Sequence, residues 1–176
     1  SPRTLELYAQ SVLGSFTPHQ FPEAAQTGQC PRVAVLSLIP TPEMAPHSSL
    51  ARMMGTALEW MGAELVCAGA AVDRDGTWRF DFQAATRWLA ERAEGNLPVA
   101  VFGTAFGFVL LADHLEARGV GFTLPQGSRV METGGYKGRS RVVSKSALHQ
   151  MISRVFGVPA SHIVTEYGMC ELGSQA

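Results

Sequence analysis

No charge of one sign dominates this chain: 14 basic residues face 15 acidic ones, for a formal net charge of -1. Such a balance supplies neither the basic field that nucleic acid demands nor a polybasic membrane surface. No apolar run is long enough to span a bilayer, and the amino terminus lacks the basic-then-apolar order of a signal peptide. Cysteine is scarce. The three, at 30, 67 and 170, are odd in number, widely spaced and without a Cys-x-x-Cys pair, so neither a disulfide framework nor a structural zinc site follows. A reducing cytoplasm is the expected setting. Internal repeats, low-complexity tracts and clear linkers are also missing, and 176 residues with 46% hydrophobic content give room for one sizeable core.

Apolar, β-rich runs alternate with helical periodicity. The strand candidates are Arg32 to Ile39, Glu64 to Ala71, Pro98 to Gly103, Ser128 to Thr133 and His162 to Glu166. Helical spacing covers Thr4 to Leu13, Ser48 to Met61, Phe82 to Ala93, Phe106 to Arg118 and Lys145 to Phe156. Ser48-Ser49 and Asp81 suit N-caps, and Gly62, Gly95, Gly119 and Gly157 stand where helices should stop. The stripe Leu50, Met53, Met54, Ala57, Leu58 and Met61 reads as core packing. Asp73 to Trp78 reads as a hairpin or tight turn, and Phe16 to Pro31, with three prolines, as the longest loop.

Strands separated by helices require crossovers, hence a mainly parallel sheet with helices on both faces, a three-layer α/β fold. In such sheets ligands bind beyond the carboxyl ends of the strands. Those ends carry Ile39-Pro40-Thr41, Gly103-Thr104-Ala105-Phe106, Glu132-Thr133-Gly134-Gly135 and Glu166-Tyr167-Gly168. The glycines let a flat ligand approach the backbone, and Lys137 and Arg139 suit phosphate or carboxylate oxygens. The spacing required for a Walker A loop or a dinucleotide fingerprint is absent. The five histidines show no metal or triad spacing, and Ser37, Ser128 and Ser161 lack a nucleophile-elbow context.

The order of these turns is informative. A Gly-Thr turn, then a Gly-Gly turn, then Tyr167-Gly168-Met169-Cys170-Glu171 resembles the ligand loops of adenylate-forming enzymes, which activate carboxylic acids with ATP. More narrowly, the wording resembles the acyl-protein synthetase (LuxE-type) branch, the fatty-acid-activating component of bacterial bioluminescence systems. The matching stretches are Leu36 to Pro40 with Ser48 to Leu50, Phe102 to Phe108, Glu132 to Arg139 and Glu166 to Gln175. Phenylacetate-CoA-ligase-like enzymes are the nearest competitor, and a non-catalytic acyl- or nucleotide-binding scaffold is the alternative from another class.

The resemblance implies roles. Tyr167 stacks on adenine; Gly134 and Gly135 form the opposite wall; Tyr136, Gly168, Met169 and Cys170 complete the nucleotide site. Glu171 is the catalytic carboxylate and holds Mg2+ against the ATP phosphates, a hard ligand for a hard cation. Gly103, Thr104, Phe106 and Phe108 line the acyl pocket. Lys137 and Arg139 are the partner cations. The family usually has threonine where Cys170 stands; Cys170 is expected to substitute for it and not to carry the acyl group. The implied substrate is a fatty acid or other carboxylic acid, and the implied acceptor a thiol of a partner reductase or coenzyme A. The whole chain, 1–176, is expected to be the central α/β subdomain of such an enzyme, with the phosphate loop before it, the small domain carrying the catalytic lysine after it, and no activity by itself.

Overall fold

The computed structural model describes residues 2–134 and 142–166, with side chains from Glu6 onward. Five strands form one parallel sheet in the order β2-β1-β5-β6-β7: β1 (Ala34–Ser37), β2 (Val66–Ala68), β5 (Val99–Thr104), β6 (Arg129–Thr133) and β7 (Ile163–Glu166). A separate antiparallel hairpin pairs β3 (Ala70–Val72) with β4 (Trp78–Phe80) around the Asp73–Thr77 turn. The helices are α1 (Pro2–Gln20), α2 (Ala24–Thr27), α3 (Ser49–Met61), α4 (Phe82–Ala93), α5 (Ala105–Glu116) and α6 (Lys145–Phe156). The architecture is the expected three-layer α/β fold.

Side chains alternate across the sheet, so each strand feeds two apolar layers. Leu36, Val99, Val101, Val130 and Ile163 face one side, packed with Leu89 of α4, Phe108 and Leu111 of α5 and Ile152 of α6. Val35, Ala100, Phe102 and Met131 face the other, against Val12 and Phe16 of α1 and the buried Met53, Met54 and Ala57 of α3. The methionine stripe is therefore core. Ser48 and Asp81 cap α3 and α4 by accepting from Ala51 N at 3.2 Å and Ala84 N at 2.8 Å.

Two sequence expectations need correction. Phe16 to Pro31 is not one loop: α1 runs through Pro18 to Gln20, and α2 follows. An interior proline costs a helix about 3 kcal/mol in isolation. Here Phe16 and Phe21 are buried against the sheet, and Phe21 N still donates to Thr17 O at 2.8 Å, so burial outweighs the local penalty. The run Glu64 to Ala71 is not one strand. It breaks at Gly69, where a Cβ would come within 2.9 Å of Leu38, and its second half turns away into the hairpin.

Candidate functional site

Helical crossovers carry the chain from β5 through α5 to β6, and from β6 through α6 to β7, so three successive carboxyl ends of parallel strands lie side by side. The register sets Gly103 beside Glu132, Thr104 beside Thr133, and Thr133 beside Glu166. Gly134 follows at once with φ of 72°, the left-handed region that favours glycine. It is exposed, and among the described residues nothing lies within 4 Å of where a Cβ would stand. Gly135, Tyr136, Lys137, Arg139, Tyr167, Gly168, Met169, Cys170 and Glu171 lie outside the described residues.

Three of the four residues expected at the acyl pocket have structural work. Thr104 caps α5, its hydroxyl accepting from Gly107 N at 3.0 Å. Phe108 is 1% exposed and meets Phe156 edge to face at 6.3 Å, inside the core. Gly103 is packed so closely that a Cβ would come within 3.1 Å of the Phe108 ring and 3.2 Å of Leu38. Phe106 is half-buried at the first turn of α5. The open space beside the site lies across the sheet, in a cavity of about 200 Å³ between α1 and the β6–β7 pair. Phe16, Met131 and Val164 form its apolar wall, and His19, Gln20 and Glu166 its polar one.

What sequence reasoning missed is the polar contact between the ends of β6 and β7, which brings Thr165 and His149 to the strand-end residues Glu132, Thr133 and Glu166. Glu132, 4% exposed, accepts from Thr165 Oγ1 at 2.6 Å and lies 3.3 Å from His149 Nε2 on α6. On the opposite face Thr133 Oγ1 donates to Glu166 Oε2 at 3.4 Å. The same His149 nitrogen faces both Glu132 and Thr165, the latter at 3.2 Å, so the trio is no relay, which would need one partner on each ring nitrogen. A signal was available: Glu-Thr precedes Gly134 and Thr-Glu precedes Tyr167-Gly168, a mirrored pair at adjacent strand ends.

Among the described residues no group of three or more His, Cys, Asp or Glu side chains is placed to hold a metal ion, and none of their helices is long and apolar enough to cross a membrane. Fold and strand-end geometry together define a three-layer α/β protein in which the carboxyl ends of β5, β6 and β7 lie side by side at one edge of its sheet. No protein-family model matches the chain, and no curated protein does.

Proposed function

We propose that this chain is the central α/β unit of an ATP-dependent enzyme that activates a fatty or other carboxylic acid as its adenylate and passes the acyl group to a thiol. One observation carries the reading: the ends of β5, β6 and β7, at or directly after which the three motifs stand in the sequence, are adjacent and in register at one sheet edge. The open backbone at Gly134 fits a purine face. The cavity walled by Phe16, Met131 and Val164 reaches Glu166 at the end of β7 and offers apolar space for hydrocarbon.

In this reading the acid's carboxylate attacks the α-phosphate and pyrophosphate leaves; the acceptor thiol, having lost its proton, then attacks the acyl carbonyl and AMP leaves. The chain's task is to hold nucleotide and acid in line and to supply fixed charge where the phosphate oxygens become more negative. Gly134, Gly135 and Tyr167 hold the base, while Lys137 and Arg139 meet anionic oxygens. Glu171 would hold Mg2+, which neutralises phosphate charge when bound. The acceptor is a thiol of a partner reductase or coenzyme A, and the setting is the cytoplasm.

The test is pyrophosphate exchange into ATP in the full-length protein. Exchange should depend on added fatty acid, and Glu171→Gln should lower it by about 100-fold, the scale of losing one preorganised charge contact. Cys170→Ser should retain acyl loading, because Cys170 stands where the family it resembles usually has a nucleotide-contacting threonine and not an acyl carrier. Exchange that ignores fatty acid would end the reading; full exchange in Glu171→Gln would remove that carboxylate from the metal role.

A further inference from the structure

We propose that the mirrored Glu–Thr pairs across β6 and β7 are a positioning device that fixes the carboxyl ends of these two strands relative to each other, with His149 extending it to α6. Glu132 and Thr165 are register partners on one face of the sheet, and Thr133 and Glu166 are register partners on the other. Each strand thus gives one carboxylate and one hydroxyl, and the two strand ends are stitched on both faces. The residues fixed this way directly precede Gly134 and position 167.

A purely structural account explains this badly. Position 132 lies on the face that Val130 occupies one pleat earlier, and an apolar side chain there would join the same core. Burying a carboxylate instead is costly unless its oxygens are satisfied, and replacing such groups by apolar ones is often neutral or stabilising. Glu132 is satisfied by partners from two other elements, a hydroxyl at 2.6 Å and an imidazole at 3.3 Å. What the carboxylate adds over a valine is direction. Hydrogen bonds fix relative position within tenths of an ångström, whereas apolar contacts tolerate sliding. The Thr133–Glu166 contact at 3.4 Å is the weaker of the two, so Glu132–Thr165 should dominate.

The consequence for ligand binding rests on the proposed function; the consequence for the strand ends does not. Amide hydrogen exchange on the full chain separates them. Thr165→Val keeps shape and β-branching while removing the donor to Glu132. It should speed exchange of the amides at 132–134 and 165–166 by about tenfold, the scale of one charge-assisted hydrogen bond, with β1 and β5 unchanged. Thr165→Ser should restore protection. His149→Gln, a second variant, should give a smaller effect at the same amides. Unchanged exchange at these ends, or an increase shared equally by β1 and β5, would overturn the proposal. In the full-length enzyme Thr165→Val should raise the KM for ATP several-fold more than it changes kcat, again with rescue by serine. If the wild-type protein turns over no ATP, the proposed function fails while the exchange data still decide the positioning role.

Discussion

Arg129 shows how much one side chain can hold. It is 13% exposed at the start of β6, donates to Gln20 O at 2.6 Å and to Glu23 at 2.7 Å, and lies 4.7 Å over the Phe21 ring. One guanidinium thereby ties the end of α1 and the start of α2 to the sheet. Burial opposes ionisation of Glu23, but the hydrogen bond and charge of Arg129 prevail and hold its carboxyl below the usual range. A depressed carboxyl pKa stabilises the fold above the unfolded-state value, and that contribution is lost as pH falls through the folded one. Arg129→Met should therefore cost about 2 kcal/mol near neutral pH. By urea unfolding the loss should shrink in acid, as pH falls through the depressed carboxyl pKa of folded Glu23. A loss independent of pH would remove Glu23 from the account. Cys30 makes a contrasting case. Burial pushes its thiol up to about 11, with Arg129 pulling the other way and Glu23 reinforcing the rise. Its thiolate is scarce at neutral pH, so alkylation of the folded chain at Cys30 should be far slower than in urea. Equal rates would contradict the burial described here.

The helix ends show which parts of a fold can be read before folding. Gly62 and Gly157 both close helices with positive φ, 57° and 65°, and their sequence context is alike. Their surroundings differ. Nothing lies within 4 Å of a Cβ at Gly62, whereas one at Gly157 would sit 2.9 Å from Phe122 O and Thr123 Cα. Gly62→Ala should cost about 1 kcal/mol, the left-handed penalty alone, and Gly157→Ala about 3 or more, because backbone must shift. Equal losses in thermal unfolding would show that the clash relaxes freely. Both glycines were legible as stop signals; only the structure separates their costs. Likewise, α3 and α4 were legible because Ser48 and Asp81 announce them, and the β5–β6–β7 adjacency follows from strand–helix alternation. The extension of α1 was hidden, since Pro18 argues locally against it and the burial of Phe16 and Phe21 exists only against the finished sheet. The Glu132–His149–Thr165 trio was hidden for the same reason. Its members lie 17 and 33 residues apart, and no local pattern brings them together.

At the scale of the whole molecule the sheet is a shared wall between two apolar layers. On β5, Val99 and Val101 serve one layer while Ala100 and Phe102 serve the other, all fully buried. Phe102 joins an aromatic cluster in which its ring centroid lies 5.9 Å from that of Phe16, which in turn contacts Phe21 and Trp60. Because neighbouring residues of the same strands anchor opposite layers, neither can loosen without moving the backbone that supports the other. The carboxyl edge of the sheet inherits this rigidity, since Gly103 and Thr104 are the last residues of that doubly anchored strand. A substitution in either layer should therefore lower one common transition. Leu111→Ala, on the α5 side, and Met54→Ala, on the α3 side, should each cost about 3 kcal/mol from lost burial and the cavity left behind. Trp60 packs against the α3-side layer and Trp88 against the other, so variants keeping one of these tryptophans each report one side of the sheet. For both substitutions the two reporters should give the same urea midpoint, as all-or-none unfolding requires. A Trp88 signal lost before the Trp60 signal in Leu111→Ala would show that the layers come apart separately. In that case β5 could not carry rigidity from the core to its carboxyl end.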